Sequence, residues 1–262
     1  MVKVEWSGIR AGMYHVALQA PQWDRKGIQM KSVEAVLFDV DDTLFDRAAA
    51  QDMVLDIIVK ERADLFEGLD MNRIRRAFAE SDRITNEEYY GGTLQEGFRS
   101  RRSKLFLELL DMAPSSWEDI SALYVERYPT VYAPVPGVEF VISELGKVFK
   151  LGVVSNGFPD VQYRKLETLQ IRDRFDCIIL SESTGVAKPE PEIFQHAASA
   201  LKVKPSACLY VGDLFDWDVV GAKQAGMLAC WFNPTGAPRP RRGIIPDLEI
   251  RRLESLLKVL RR

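Results

Sequence analysis

Only two histidines, His15 and His196, occur in the 262 residues, and the three cysteines form no CxxC pair. A zinc centre of the usual Cys/His kind is therefore not expected. Any metal would be held by oxygen, which suits Mg²⁺ or another hard cation. Cys177, Cys208 and Cys230 lie far apart, each in or beside an apolar run, as buried reduced thiols do. No apolar run approaches the roughly 18 residues of a membrane span. The segment "AGMYHVALQA" is too interrupted, by Tyr14, His15 and Gln19, for a signal peptide. A cytoplasmic protein without a membrane partner is expected. Positive charge is not in excess either: 35 Lys and Arg stand against 38 Asp and Glu, a formal net charge of −3. That disfavours a nucleic-acid polymer as partner. No GxGxxG follows the first apolar strand, which disfavours a dinucleotide-dependent dehydrogenase.

What is present is ordinary globular text, 47% apolar and 28% charged. Residues 1–30 fit no pattern and are read as an extension of unknown role, with Met30 as a second candidate start. From Val33 the pattern becomes regular. "VEAVLFD" suits a buried strand. Residues 46–133 then carry helical runs and no strand signal, with Ser115 and Glu118 spaced as a capping box. After "APVPG" the chain alternates helix and strand: "LGVVS", "DCIILS", "ACLYVGD" and "LACWF" read as strands, and "IRRLESLLKVL" as a closing helix. Near-continuous apolar strands alternating with helices indicate a parallel sheet covered on both faces. The expected fold is α/β, a doubly wound, Rossmann-like core (31–45 plus 134–262) with an inserted helical cap (46–133). Hinges are expected near Phe45–Asp46 and Ala133–Pro136.

Ligands of such sheets bind beyond the carboxyl ends of the strands. Asp39 and Asp41 follow the first strand, with Thr43 in the turn. Ser155, Asn156 and Gly157 follow the second. Lys188 sits in "GVAKPEP", and "YVGDLFDWD" supplies Asp213, Asp216 and Asp218. Each of these alone is a helix cap or a solvated loop as readily as a site. Together they place acids, a hydroxyl, backbone amides and one lysine at one sheet edge, a set suited to phosphoryl transfer. A carboxylate can attack phosphorus, and cations must then offset the repulsion between anions.

"DVDDT" (39–43), "VVSNG" (153–157), "KPEPEIF" (188–194) and "GDLFDWD" (212–218) resemble the four motifs of the haloacid dehalogenase-like hydrolases, in order and over residues 33–262. The tail also looks like that of pyrimidine 5′-nucleotidases and N-acylneuraminate 9-phosphatases. The resemblance implies Mg²⁺ as cofactor and an aspartyl-phosphate intermediate. It casts Asp39 as nucleophile and Asp41 as general acid/base. Thr43, Ser155, Asn156 and Lys188 would serve the phosphoryl group, and Asp39, the Asp41 carbonyl, Asp213 and Asp218 the metal. Asp42 and Asp216 are left as turn or capping acids. The acid at position 41 favours phosphate esters over halides. Lys60 and Lys104, the cap lysines, are in charged helical text, unlike a Schiff-base lysine. The implied substrate is a small phosphorylated metabolite: a nucleoside 5′-monophosphate, or a sugar phosphate or phosphoglycolate. Phe98, Arg99, Arg101 and Arg102 are candidates for the leaving group, against the alternative of a solvated helix face. A receiver-like signalling domain or a non-catalytic phospholigand binder remains the rival of another class.

Overall fold

The structure, a computed structural model, describes residues 32–240 and 243–260. The expectations for residues 1–30, and the start of the core at Lys31, lie outside them. A six-stranded, all-parallel sheet is ordered β3-β2-β1-β4-β5-β6. In chain order the strands are β1 (Ala35–Phe38), β2 (Lys150–Ser155), β3 (Cys177–Leu180), β4 (Cys208–Gly212), β5 (Leu228–Phe232) and β6 (Leu248–Ile250). Between β1 and β2 come α1 (Arg47–Glu61), α2 (Ala63–Phe66), α3 (Met71–Tyr90), α4 (Phe98–Leu109), α5 (Trp117–Arg127) and α6 (Val138–Leu145). The later helices are α7 (Pro159–Thr168), α8 (Ser181–Thr184), α9 (Pro191–Leu201), α10 (Val220–Gln224) and α11 (Ser255–Val259).

The strands read as continuous apolar runs because both sheet faces are buried. In β1, Val36 and Phe38 pack into one apolar cluster, Ala35 and Leu37 into the other. Leu209 and Val211 against Cys208 and Tyr210 repeat this in β4, as the period of two requires. The first cluster continues into the helical insertion through residues such as Val54, Phe78 and Phe106.

The strand order reverses between β1 and β4, which opens a crevice at their carboxyl ends. Phe38 is level with Val153 of β2 and Val211 of β4, so Asp39, Ser155 and Asp213 emerge at one edge. Asp42, in the turn after β1, adopts φ +56°, a left-handed conformation that aspartate tolerates, and accepts a hydrogen bond from Arg47 N (3.0 Å). Asp46 caps α1 by accepting from Ala49 N (2.9 Å). The two strands of chain that enter and leave the insertion are tied together: Asp46 N donates to Ala133 O (2.8 Å) and Val135 N to Leu44 O (3.0 Å).

Two local expectations are corrected. Ser115 lies inside the short turn Pro114–Ser116, and the residue preceding α5 is Ser116, which makes no side-chain cap. The closing helix is short because Leu248–Ile250 pairs with β5 as a sixth strand. Three residues are too few for their alternation to be read against the helical text that follows.

Candidate active site

Lys188 lies at the centre of the crevice. Its ammonium is 2.6 Å from Asp39 Oδ1, 2.7 Å from Asp218 Oδ1 and 3.2 Å from the Tyr210 hydroxyl. Burial works against that charge, but Asp218 and Asp39 outweigh it and hold Lys188 well above the usual lysine range. Its backbone is clamped by Asn156, whose Oδ1 accepts from Lys188 N (2.8 Å) and whose Nδ2 donates to Lys188 O (3.1 Å). Asp218 is wholly buried and also accepts from Leu214 N (2.9 Å). Gly212 leaves room for that carboxylate: a Cβ there would lie 2.4 Å from Asp218 Cγ.

Carboxylate oxygens of Asp39, Asp213 and Asp218 lie within 4.8 Å of one another, a group that could hold a metal ion. Burial is the main cause that pushes Asp39 up to about 7, with Lys188 opposing. Burial followed by the charge of Asp39 pushes Asp213 up to about 9. Lys188 alone does not offset the burial of these acids, and an all-oxygen donor set fits a hard divalent cation. Thr43, expected at the phosphate, is fully buried, and its hydroxyl faces Asp213 Oδ1 at 3.4 Å. Ser155 is buried, lines the cavity and accepts from Gly157 N (3.2 Å).

Asp41 has partners that the sequence reading did not name. Lys165 Nζ donates to its Oδ1 and Gln162 Nε2 to its Oδ2, both at 2.6 Å. Burial would raise Asp41, yet Lys165 and then Arg47 overcome it and hold the carboxyl below its usual range. Lys165 is 2% exposed and also sits 4.8 Å from the Phe45 ring centroid and 4.7 Å from that of Tyr128. A signal was present: Gln162 and Lys165 are three apart on α7, and Lys165 is four residues before the buried Leu169, on the same face. Gly157 makes this possible, since a Cβ there would meet Gln162 Nε2 at 1.8 Å.

Over these groups lies a cavity of about 190 Å³, shared between the sheet edge and the helical insertion. The solvated-face alternative fails for three of the four α4 residues: Phe98, Arg99 and Arg102 line the cavity. Arg102 is 7% exposed and pairs with Asp82 (3.3 Å), which also pairs with Arg47. Arg101 instead makes two 2.8 Å bonds to Glu88. Lys104 pairs with Glu96 (2.6 Å), and neither it nor Lys60 lines the cavity. Asp42, left as a turn acid, also lines it.

A family model described as haloacid dehalogenase-like hydrolase matches residues 33–226. The chain belongs to that family. Its relatives include the pyrimidine 5′-nucleotidase YjjG of Escherichia coli, 30% identical over 230 residues, 86% of this chain and 96% of that one. A glyceraldehyde 3-phosphate phosphatase of Methanopyrus kandleri is 32% identical over 244 residues, 87% of this chain and 97% of the relative. Among solved structures, the magnesium-bound HAD-hydrolase YfnB of Bacillus subtilis superposes with a TM-score of 0.78 at 26% identity, covering 88% of this chain and 99% of that one. This haloacid dehalogenase-like hydrolase carries its acids at the edge of a parallel sheet. Among the described residues no helix is long and apolar enough to cross a membrane.

Proposed function

We propose that this hydrolase cleaves phosphate monoesters of small metabolites by a Mg²⁺-dependent route through an aspartyl phosphate on Asp39. The enzyme is a phosphatase. One observation carries the mechanistic reading: Asp39 is fixed at 2.6 Å by Lys188 beside two further acids, and Asp41 stands two residues on, facing the same cavity. Asp39, Asp213 and Asp218, with the Asp41 carbonyl, would hold Mg²⁺, which supplies charge neutralisation for the transferring group.

The protein's own groups account for the rest. Lys188 keeps Asp39 pointed at the incoming phosphorus, so the Asp39 carboxylate displaces the alcohol in line. Asp41, protonated beside the bound phosphoryl anion, gives that proton to the leaving oxygen and then, as the carboxylate that Lys165 and Gln162 favour, takes one from the water that opens the Asp39 phosphate. Two hydrogen bonds to Asp41 fix its plane and stabilise its carboxylate form, the form needed for the second step. Ser155 and the amides after β2 serve the phosphoryl oxygens. The helical insertion acts as a lid that excludes water and large esters. Its 190 Å³ cavity is small beside the roughly 300–1,000 Å³ of pockets for drug-sized ligands.

A nucleoside 5′-monophosphate is the leading substrate, supported by the nucleotidase relative and by the aromatic walls of the cavity, Tyr89, Phe158 and Trp217 among them. A sugar phosphate is the second reading, supported by the glyceraldehyde 3-phosphate phosphatase relative. The enzyme works as a cytoplasmic protein on free metabolites. A phosphate-release screen over nucleotides and sugar phosphates tests this. Release should require Mg²⁺, stop with EDTA and be abolished in Asp39→Asn. No release from any ester with Mg²⁺ present would favour a phospholigand-binding protein instead.

A further inference from the structure

Asp213 and Asp218, two of the three acids of the cation cluster, stand in one short segment after β4. The peptide between Asp213 and Leu214 is gripped at both ends. Its carbonyl, Asp213 O, accepts from the indole Nε1–H of Trp231 at 2.8 Å. Its amide, Leu214 N, donates to Asp218 Oδ2 at 2.9 Å. The other Asp218 oxygen, Oδ1, takes the Lys188 ammonium at 2.7 Å. A peptide is planar, so a bond that fixes its carbonyl also aims its N–H. Trp231 is thereby coupled through one rigid plane to both acids.

The sheet puts the indole there. Trp231 lies on β5 and pairs in register with Gly212, the residue before Asp213. It is 4% exposed and belongs to the second apolar cluster. Its ring meets Phe215 edge to face at 5.2 Å and 85°. Phe215 opens the wide, π-type turn Phe215–Val219, which carries Asp218. A buried indole N–H needs some acceptor, and packing alone leaves the choice of acceptor free. Here the acceptor is the carbonyl of one cluster acid, in the very peptide whose N–H serves the other.

We propose that Trp231 is a positioning residue of the cation cluster: its indole holds the Asp213–Leu214 peptide at the orientation in which Asp213 and Asp218 converge on one divalent cation. This rests on the Mg²⁺ reading above and extends it to a residue outside the cluster. Acids as close as these repel one another, and the segment relaxes by turning them apart unless its backbone is held. Mg²⁺ tolerates little departure from octahedral geometry, so a tilt of this peptide is felt as lost affinity. Trp231 and Asp213 also line a second cavity of about 650 Å³, together with Val135 and Pro136. Solvent there is able to hydrate the Asp213 carbonyl once the indole N–H is removed. The loss is then one of orientation, without an orphaned buried acceptor.

The test is calorimetric titration of Mg²⁺ alone into the full-length protein at fixed pH, without substrate. Trp231→Phe keeps an aromatic ring against Phe215 and removes the donor. It should weaken the Mg²⁺ dissociation constant by about fivefold, the worth of one neutral hydrogen bond. At saturating Mg²⁺ its kcat for p-nitrophenyl phosphate should return to within about twofold of wild type. A merely structural tryptophan would lower the active fraction, and with it kcat, without moving the dissociation constant. The coupling also reads in wild type, which covers a variant that fails to fold. The ¹⁵N indole resonance of Trp231, assigned by replacing the other tryptophans, should shift on Mg²⁺ addition. An unchanged dissociation constant, a kcat loss that Mg²⁺ does not restore, or an unmoved resonance overturns the positioning role and leaves the Mg²⁺ reading standing. No Mg²⁺ binding by wild type overturns both.

Discussion

Asp41 would be a poorly oriented acid without Lys165. Its two oxygens are pinned by one ammonium and one amide, and a proton donor must meet the leaving oxygen within hydrogen-bond reach. Lys165→Met should lower kcat for a metabolite ester by about tenfold to hundredfold, less than the roughly 10²–10⁴-fold that an acid/base group itself contributes, because Lys165 acts through Asp41. Steady-state kinetics checks this, and an unchanged kcat would remove Lys165 from the account. The cation cluster makes a second prediction. Asp39 at about 7 and Asp213 at about 9 retain protons near neutrality when no cation is bound. Cation binding must displace a proton, so Mg²⁺ affinity should rise with pH between about 7 and 9. Titration calorimetry in two buffers of different ionisation enthalpy would report that release. At this scale the acids, Ser155, Asn156 and Lys188 were legible because each ends a strand or sits in a marked loop. Lys165, Gln162 and Tyr210 were not singled out: two read as ordinary helix text and the third as a strand interior. What marks them is the partner each meets across the fold.

At the scale of elements, β1 governs the site. It is the strand between β2 and β4, and Asp39 inherits its position from the pairing of Phe38 with Val153 and Val211. Leu37 is fully buried in the second apolar cluster, and a Cβ at Gly152 would come 2.5 Å from its Cδ2. Leu37→Ala should cost about 2–5 kcal/mol of stability, read from urea unfolding followed by circular dichroism. A loss below about 1 kcal/mol would mean that the sheet relaxes around the cavity. The apolar strand text and the run of helical text before "APVPG" were readable because each element is long or uniformly apolar. β6 and the start of α5 escaped because three-residue elements carry no period, and their pairing is decided by neighbours remote in sequence.

Across the whole molecule, the helical insertion is joined to the sheet through the shared apolar cluster and through polar and ring contacts beside the cavity. Arg99 bonds Asp160 (2.7 Å) and lies 4.5 Å over Phe158, and the Tyr90 and Trp217 rings meet at 4.5 Å. A half-exposed pair of this kind contributes up to about 1 kcal/mol. Arg99→Met should therefore raise KM by about threefold or more, and an unchanged KM would place the pair outside lid closure. The central claim concerns chemistry that this architecture converges on: phosphorus becomes bonded to Asp39. Asp41→Asn with p-nitrophenyl phosphate should accumulate that species, because the leaving group needs no proton but the attacking water does. Acid quench, borohydride reduction and peptide mapping would then locate it. The account predicts reduction of residue 39 to homoserine, dependent on both substrate and Mg²⁺. Reduction at another acid, or at none while phosphate is released, would contradict it.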